Sequence, residues 1–211
     1  MTAAKAEKPP RAIKLIGGQL SLDFTNTVSY RGRQFPEEKL NGFQDLLDWS
    51  VLAGILDEGD ARKLSREGGI QPEAAKRVLE RAVELREAIH RIFTANISAE
   101  PASDDDLVTL NRELREALTR LRLSTEPGGY SLDFGWGGDS LDQVLWPIAR
   151  SASKLLTSDD LVRVRHCAAD DCDWLFLDTS RNRSRRWCDM KDCGNRSKAR
   201  RFYERKRGAK G

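Results

Sequence analysis

The residues of this 211-residue chain best suited to chemistry are four cysteines, spaced Cys167-x4-Cys172 and Cys188-x4-Cys193 with fifteen residues between the pairs. Each pair offers two thiolates from one tight turn, and a hairpin-sized insert can bring the turns together around a tetrahedral zinc ion. All four lie within 27 residues. A reducing compartment keeps thiols unpaired, so one structural Zn2+ is expected rather than disulfides. The x4 spacing is not that of a redox Cys-x-x-Cys, and no βαβ pattern adjoins it. Four thiolates would also close the metal's shell and leave no position for a catalytic water. His166 adjoins Cys167 as an alternative ligand, but is better read as a strand side chain or a phosphate contact.

The cysteines carry a basic segment, with 13 basic and 3 acidic side chains from residue 181 onward. Gly194 lets the backbone turn away from the metal, a step open to positive φ, and Asn195 suits an N-cap. A helix starting there places Asn195, Ala199 and Phe202 on one side, expected to pack on the zinc knuckles. Arg196, Arg200 and Arg207 then lie on one flank, and Lys198, Arg201 and Arg205 on the other. Arg181, Arg183, Arg185 and Arg186 add four cations on the predicted hairpin before Trp187. Such groups contact phosphates and, for arginine, guanine edges. Self-repulsion of +10 in 31 residues favours a polyanionic partner, and double-stranded DNA is the expectation. Stacking by Trp174, Trp187 or Tyr203 would instead point to single strands or RNA. Both tryptophans are expected to serve a small core with Leu175, Phe176, Ala199 and Phe202.

Charge divides the chain. Residues 161–211 carry 15 basic and 7 acidic side chains, whereas residues 1–160 are net −5. The expected organisation is a lead-in over 1–10, an α-rich domain over 11–160 and a zinc module over 161–211, an α+β chain whose small module is a β-hairpin plus helix. About 50 residues bury too little to fold securely alone, so zinc binding should supply folding energy, and a chelator should unfold the module while sparing the body.

Within the body, Leu20, Leu22 and Phe24 alternate with polar residues and predict short strands about Gly17-Gly18. Asn41 and Gln44 are spaced for a capping box before a helix with Leu46, Trp49, Ala53 and Leu56 on one face. The clearest helix has Ala75, Val78, Ala82, Leu85, Ile89 and Ile92 on one stripe. Another begins at Ser103, whose hydroxyl is placed to cap it, with Leu107, Leu110, Leu114, Leu118 and Leu121 as its stripe. Pro127-Gly128-Gly129 turn a hairpin that carries Tyr130, Leu132, Phe134 and Trp136 on one face. Pro147 marks a kink or a fresh helix start.

Asp23, Asn26, Thr27 and Arg31 follow the predicted strand and form a candidate small-molecule pocket, although each residue type also bonds to its own turn or pairs on a surface. There is no Gly-rich phosphate loop and no nucleophile elbow, and His90 stands alone on a helix, so the chain is expected not to be an enzyme. No apolar run approaches a membrane span, and the first residues lack a signal-peptide core, which predicts a cytoplasmic protein without membrane contact.

Around the cysteines the chain resembles the CGNR zinc-finger family. The likeness rests on Cys167, Cys172, Cys188 and Cys193, on Phe176-x-Asp178-x-Ser180, on Arg185-Arg186-Trp187-Cys188 and on Cys193-Gly194-Asn195-Arg196. "GGQLSLDFTNT" and "WPIARSASKLL" make the body similar to the ABATE domain that accompanies that finger. The resemblance implies four zinc-ligating cysteines and a DNA-binding transcriptional role. The leading expectation is therefore a zinc-dependent DNA-binding regulator whose body senses a small-molecule effector or forms a homodimer. The alternative is a zinc module that staples onto an acidic protein partner or onto the body itself. RNA binding and a small-molecule enzyme in the body are weaker readings.

Overall fold

The computed structural model describes residues 13–31, 33–134 and 140–208, the side chains of 207 and 208 excepted. The lead-in over 1–10 and Trp136 fall outside the described residues, as does the side chain of Arg207. The body is helical: α1 (Leu20–Thr25), α2 (Phe43–Leu52), α3 (Glu58–Ile70), α4 (Pro72–Ile97), α5 (Asp104–Arg120) and α6 (Leu145–Leu156). Among the described residues three antiparallel strand pairs accompany it: β1 (Val28–Ser29) with β2 (Glu37–Glu38), β3 (Leu121–Glu126) with β4 (Gly129–Phe134), and β5 (Val164–His166) with β6 (Leu175–Leu177). A helical turn, Met190–Gly194, runs into the last helix, α7 (Asn195–Gly208).

α4 is the centre of the body and touches α1, α2, α3, α5 and α6. Pro72 opens it in the first turn, where a missing amide costs nothing. Its whole predicted stripe from Ala75 to Ile92 is buried. Ion pairs fasten its flanks: Arg81 to Glu113 at 2.7 Å and Asp142 at 3.0 Å, Arg91 to Asp106 at 2.5 Å, and Arg86 to Glu38 at 2.6 Å. The Glu113 side chain is fully buried, so its pairing with arginine is what makes that burial tolerable.

The strands expected about Gly17-Gly18 are not formed. That segment is helix α1, in which Ser21, Leu22, Asp23, Phe24 and Thr25 are all buried. A segment enclosed on every side carries no useful period, so apolar alternation misled. The Asp23 carboxylate accepts the Gly17 amide at 2.7 Å and folds the approach onto the helix. A β-carbon on Gly17 would lie 2.8 Å from the Asp23 amide nitrogen, so this approach requires glycine.

Other local expectations shift by a residue or a face. The α2 cap is Gly42, with the Asp45 carboxylate accepting the Gly42 and Asn41 amides, rather than an Asn41/Gln44 box. Ser103 caps α5 by backbone shape alone, without a hydroxyl hydrogen bond. The buried face of α5 is Asp106, Leu110, Glu113 and Ala117, which leaves Leu107 and Leu118 exposed; salt bridges to α4 rotate the helix away from its leucine stripe. α3 was not expected, because its inward face offers only Ala61, Leu64 and Gly68. The Asp57 carboxylate accepting the Asp60 amide at 2.8 Å was the available signal. Pro147 does mark a fresh start, since it sits in the first turn of α6 after a short turn at Leu141–Val144.

The β5–β6 pair leaves the cysteine region and enters the body. Val164, Leu175 and Leu177 belong to the same apolar core as Leu22, Phe24, Trp49 and Leu85. The Leu177 amide donates to the Gly17 carbonyl at 2.7 Å, and the Trp174 indole donates to the Val28 carbonyl at 3.0 Å. Among the described residues no helix is long and apolar enough to cross a membrane.

Candidate metal centre and the surface it carries

Cys167 directly follows β5, and the knuckle Cys167–Cys172 leads on to β6; the hairpin therefore flanks the first cysteine pair rather than filling the insert between the pairs. After β6 the chain turns over residues 178–185 without strand structure. Asp178, fully buried, organises that turn by accepting the Ser180 amide at 2.9 Å, the Ser180 hydroxyl at 2.5 Å and the Arg185 amide at 3.1 Å. Burial opposes its ionisation, but these donors prevail and hold the carboxyl below its ordinary range. Cys188 follows, and Cys193 lies inside the turn Met190–Gly194.

The four sulfurs all lie within 4.8 Å of one another, with Cys172 to Cys188 at 3.7 Å and Cys188 to Cys193 at 3.5 Å. Zinc bonded to four sulfurs at about 2.3 Å requires edges of about 3.8 Å, so the cluster fits the ion. Cys167, Cys188 and Cys193 are buried and Cys172 is half-buried. Hydrogen bonding within the cluster, from Cys167 first, pushes Cys172 and Cys188 far above the ordinary thiol range, while Cys167 is held below it. A divalent cation reverses that opposition by taking up thiolates. Two donors are already aimed at the charge: the Cys188 amide at Cys167 Sγ, 3.4 Å, and Arg196 Nη2 at Cys193 Sγ, 3.2 Å. His166 is not a ligand here; its ring stands edge-on to His90, 5.8 Å between centroids. His90 is therefore not alone, and its Nε2 meets the Asp173 carbonyl at 3.2 Å.

Trp174 and Phe176 form the module's own core with the cysteines, and Trp187 packs against it. Ala199 and Phe202 do not join them. Ala199 is exposed and Phe202 is 56% exposed, because α7 leaves the module along its axis and touches mainly the turn that precedes it. The helical start is also earlier than expected. Asp189 is the cap, accepting the Lys191 amide at 2.8 Å, and Asn195 lies within the continuous helical run, its side chain donating to the Lys191 carbonyl at 3.1 Å. Gly194 has no positive φ. A β-carbon there would sit 2.5 Å from Met190 Sδ, the end of a flexible, half-exposed side chain that can yield.

The predicted cations divide into two groups. Arg185 turns inward, donating to the carbonyls of Ile16, Trp187 and Cys188 and lying over the Phe176 ring at 4.3 Å. Arg196 pairs with Asp171 at 3.0 Å and Asp192 at 3.4 Å besides its thiolate, and Arg200 with Asp170 at 2.6 Å and Glu204 at 2.9 Å. Arg185 and Arg196 tie the module together, while Arg200, itself exposed, makes surface pairs with an acid of the first knuckle and with its own helix. Arg181, Arg183, Arg186, Lys198, Arg201 and Arg205 are exposed. Among the described residues none of the six is paired with a carboxylate.

The side chains of Asp23, Asn26, Thr27 and Arg31, expected as a candidate pocket, are engaged in hydrogen bonds within the chain. They lock the body to the module and to itself. Asn26 Nδ2 donates to the Leu175 carbonyl at 2.9 Å while Oδ1 accepts the Leu175 amide at 3.0 Å, a side chain standing in for a third strand. Thr27 Oγ1 donates to the Phe24 carbonyl and accepts from Arg86. Arg31 pairs with Glu87 at 3.0 Å and donates to the Thr25 carbonyl at 2.5 Å, while its amide donates to Asp173 at 2.6 Å. Body and module meet through ion pairs whose cation is on the body: Lys14–Asp189, Arg31–Asp173 and Arg33–Asp171. That polarity is the reverse of what an acidic body and a basic module would give.

Fold and site define a helical body that carries, on a shared core, one closed four-thiolate zinc centre with a basic outer surface. Residues 18–159 match the ABATE family, described as "Putative stress-induced transcription regulator", and residues 163–206 match the CGNR zinc finger. The chain belongs to the ABATE family and carries a CGNR zinc finger with a site for one zinc ion. No curated protein matches the chain.

Proposed function

We propose that this protein is a cytoplasmic, non-enzymatic transcription regulator that binds double-stranded DNA through the outer surface of its zinc module. The observation that carries the reading is the division among the cations. Arg185, Arg196 and Arg200 already have partners within the chain, whereas Arg181, Arg183, Arg186, Lys198, Arg201 and Arg205 are exposed without carboxylate partners among the described residues. Unneutralised cations on a rigid support release condensed counterions when they meet phosphates, and that release drives binding. Arginine on a projecting helix can also reach base edges. The family description of the body, a transcription regulator, supports the same role.

The test is fluorescence anisotropy of the zinc-loaded protein with random duplex DNA across a salt series. Replacing Lys198, Arg201 and Arg205 together by alanine should weaken binding at least tenfold at low salt and reduce the salt slope by about 0.9 for each phosphate that is no longer neutralised. Zinc content should stay at one ion, and chelation should abolish binding by the unaltered protein. Equal affinity of the triple variant, or no binding at low salt, overturns the reading.

A further inference from the structure

The β3–β4 hairpin is a two-stranded ribbon that extends beyond the body it grows from. Its root is packed: Phe134 lies with Ala117 and Trp146, and Leu121 leans on them. Its outer part is not, with Leu123 68%, Tyr130 76% and Leu132 45% exposed. These three share one face, because Leu123 stands opposite Leu132 and Thr125 opposite Tyr130. A two-stranded ribbon is marginal in water until a third strand or a packing surface completes it.

Backbone phase shows which edge is open. The Leu132 carbonyl points out of the hairpin and accepts Arg150 Nη1 at 3.0 Å. The pair Leu123–Leu132 is therefore a non-hydrogen-bonded pair, and the amides and carbonyls of Leu123 and Thr125 also point outward, along the free side of β3. The β4 edge is partly covered by Arg150. Among the described residues no strand pairs with the β3 edge.

We infer that the occupant of this edge is the β3 strand of a second copy of the chain, paired antiparallel about a twofold axis through Ser124. In that register Leu123 of each copy faces Thr125 of the other, and both residues present the outward amides and carbonyls that a hydrogen-bonded pair needs. Arg122 of each copy faces Glu126 of the other. The two charges lie equally far from Ser124 along β3, on the same face of the ribbon and with opposite sign, as twofold self-complementarity requires. Neither makes an ion pair among the described residues. The product is a four-stranded sheet, β4-β3-β3-β4, in which Leu123, Tyr130 and Leu132 of both copies form one apolar surface. The inference is independent of the DNA-binding reading.

Sedimentation equilibrium of the zinc-loaded full chain should show a monomer–dimer equilibrium between about 1 and 100 µM. Glu126→Arg stands opposite Gly129 in its own hairpin, so it leaves the fold undisturbed while placing like charges together twice across the twofold axis. The dissociation constant should rise about tenfold, from two cross-strand pairs changed in sign. Thr125→Pro removes an amide that the hairpin does not use and the dimer uses twice, and should raise the constant further. Adding Arg122→Glu to Glu126→Arg should recover most of the loss. Circular dichroism and zinc content confirm folding of each variant. A monomer at every concentration, or a dimer that either single variant leaves intact, overturns the proposal.

Discussion

Replacing Asn26 by alanine removes one of the side chains that join the zinc module to the body. The Asn26 amide makes two hydrogen bonds to the Leu175 main chain, at 2.9 and 3.0 Å, with Asn26 2% and Leu175 0% exposed. Alanine leaves a buried N–H and a buried C=O without partners. Each orphan costs about 1–3 kcal/mol, so the loss should be about 3–4 kcal/mol, a large part of the roughly 5–15 kcal/mol that a domain possesses. Asn26→Asp should cost at least as much near pH 7, because a carboxylate can accept from the amide but opposes the carbonyl. The assay is urea unfolding of the zinc-loaded chain, followed by helical ellipticity and by tryptophan fluorescence. Both probes should move together to a lower midpoint with unchanged slope, since Leu175 and Leu177 share the core of the helices. A loss below about 1 kcal/mol, or separate midpoints for the two probes, would refute the reasoning that Asn26 couples module to body.

Two glycines give contrasting outcomes. Gly17→Ala brings a β-carbon within 2.8 Å of backbone that cannot yield and should destabilise by about 2–3 kcal/mol in urea unfolding, whereas Gly194→Ala meets the end of a half-exposed Met190 side chain and should cost under about 1 kcal/mol. Two of the groups that make stability depend on pH act in opposite directions. Burial, reinforced by Arg31, lowers His90 from 6.5 to about 4, so neutral His90 contributes stability that is present above pH 6.5 and lost as pH falls through 4. Burial, opposed by the Gly17 and Ile16 amides, raises Asp23 from 3.8 to about 6, and its contribution is present below pH 3.8 and lost as pH rises through 6. The two oppose each other between pH 4 and 6. His90→Gln removes one upward slope, so between pH 4.5 and 6 its unfolding free energy should fall by about 1–2 kcal/mol relative to that of the unaltered chain, measured by urea midpoints of both proteins at the two pH values.

Much of the metal centre was legible in the sequence, because ligand type and spacing are local facts: two Cys-x4-Cys turns can close on zinc whatever surrounds them. The long stripe of α4 was legible for a similar reason, since one face of a regular helix was sorted from the other. What failed did so where the environment was not one-sided. Helix α1 is buried all round, so Leu20, Leu22 and Phe24 gave a strand's alternation without a strand's exposure. The leucines of α5 gave a true helical period, but the buried carboxylates Glu113 and Asp106, paired with Arg81 and Arg91, decided which face turned inward.

The sequence by itself determined that there would be a four-thiolate zinc site, a helical body and a strongly basic final segment. Only tertiary structure decided what each polar residue does. Asp23, Asn26, Thr27 and Arg31 look like a ligand set in one dimension, and become the seam between body and module once β6 is laid against α1. The arginines look equivalent along the chain, yet the acids Asp170 and Asp171 on the first knuckle claim Arg200 and Arg196 and leave Lys198, Arg201 and Arg205 to the solvent. The physical reason is common to both cases: a side chain's partner is set by which distant backbone and charge the fold brings within about 3 Å, and that distance is not encoded in any local run of residues.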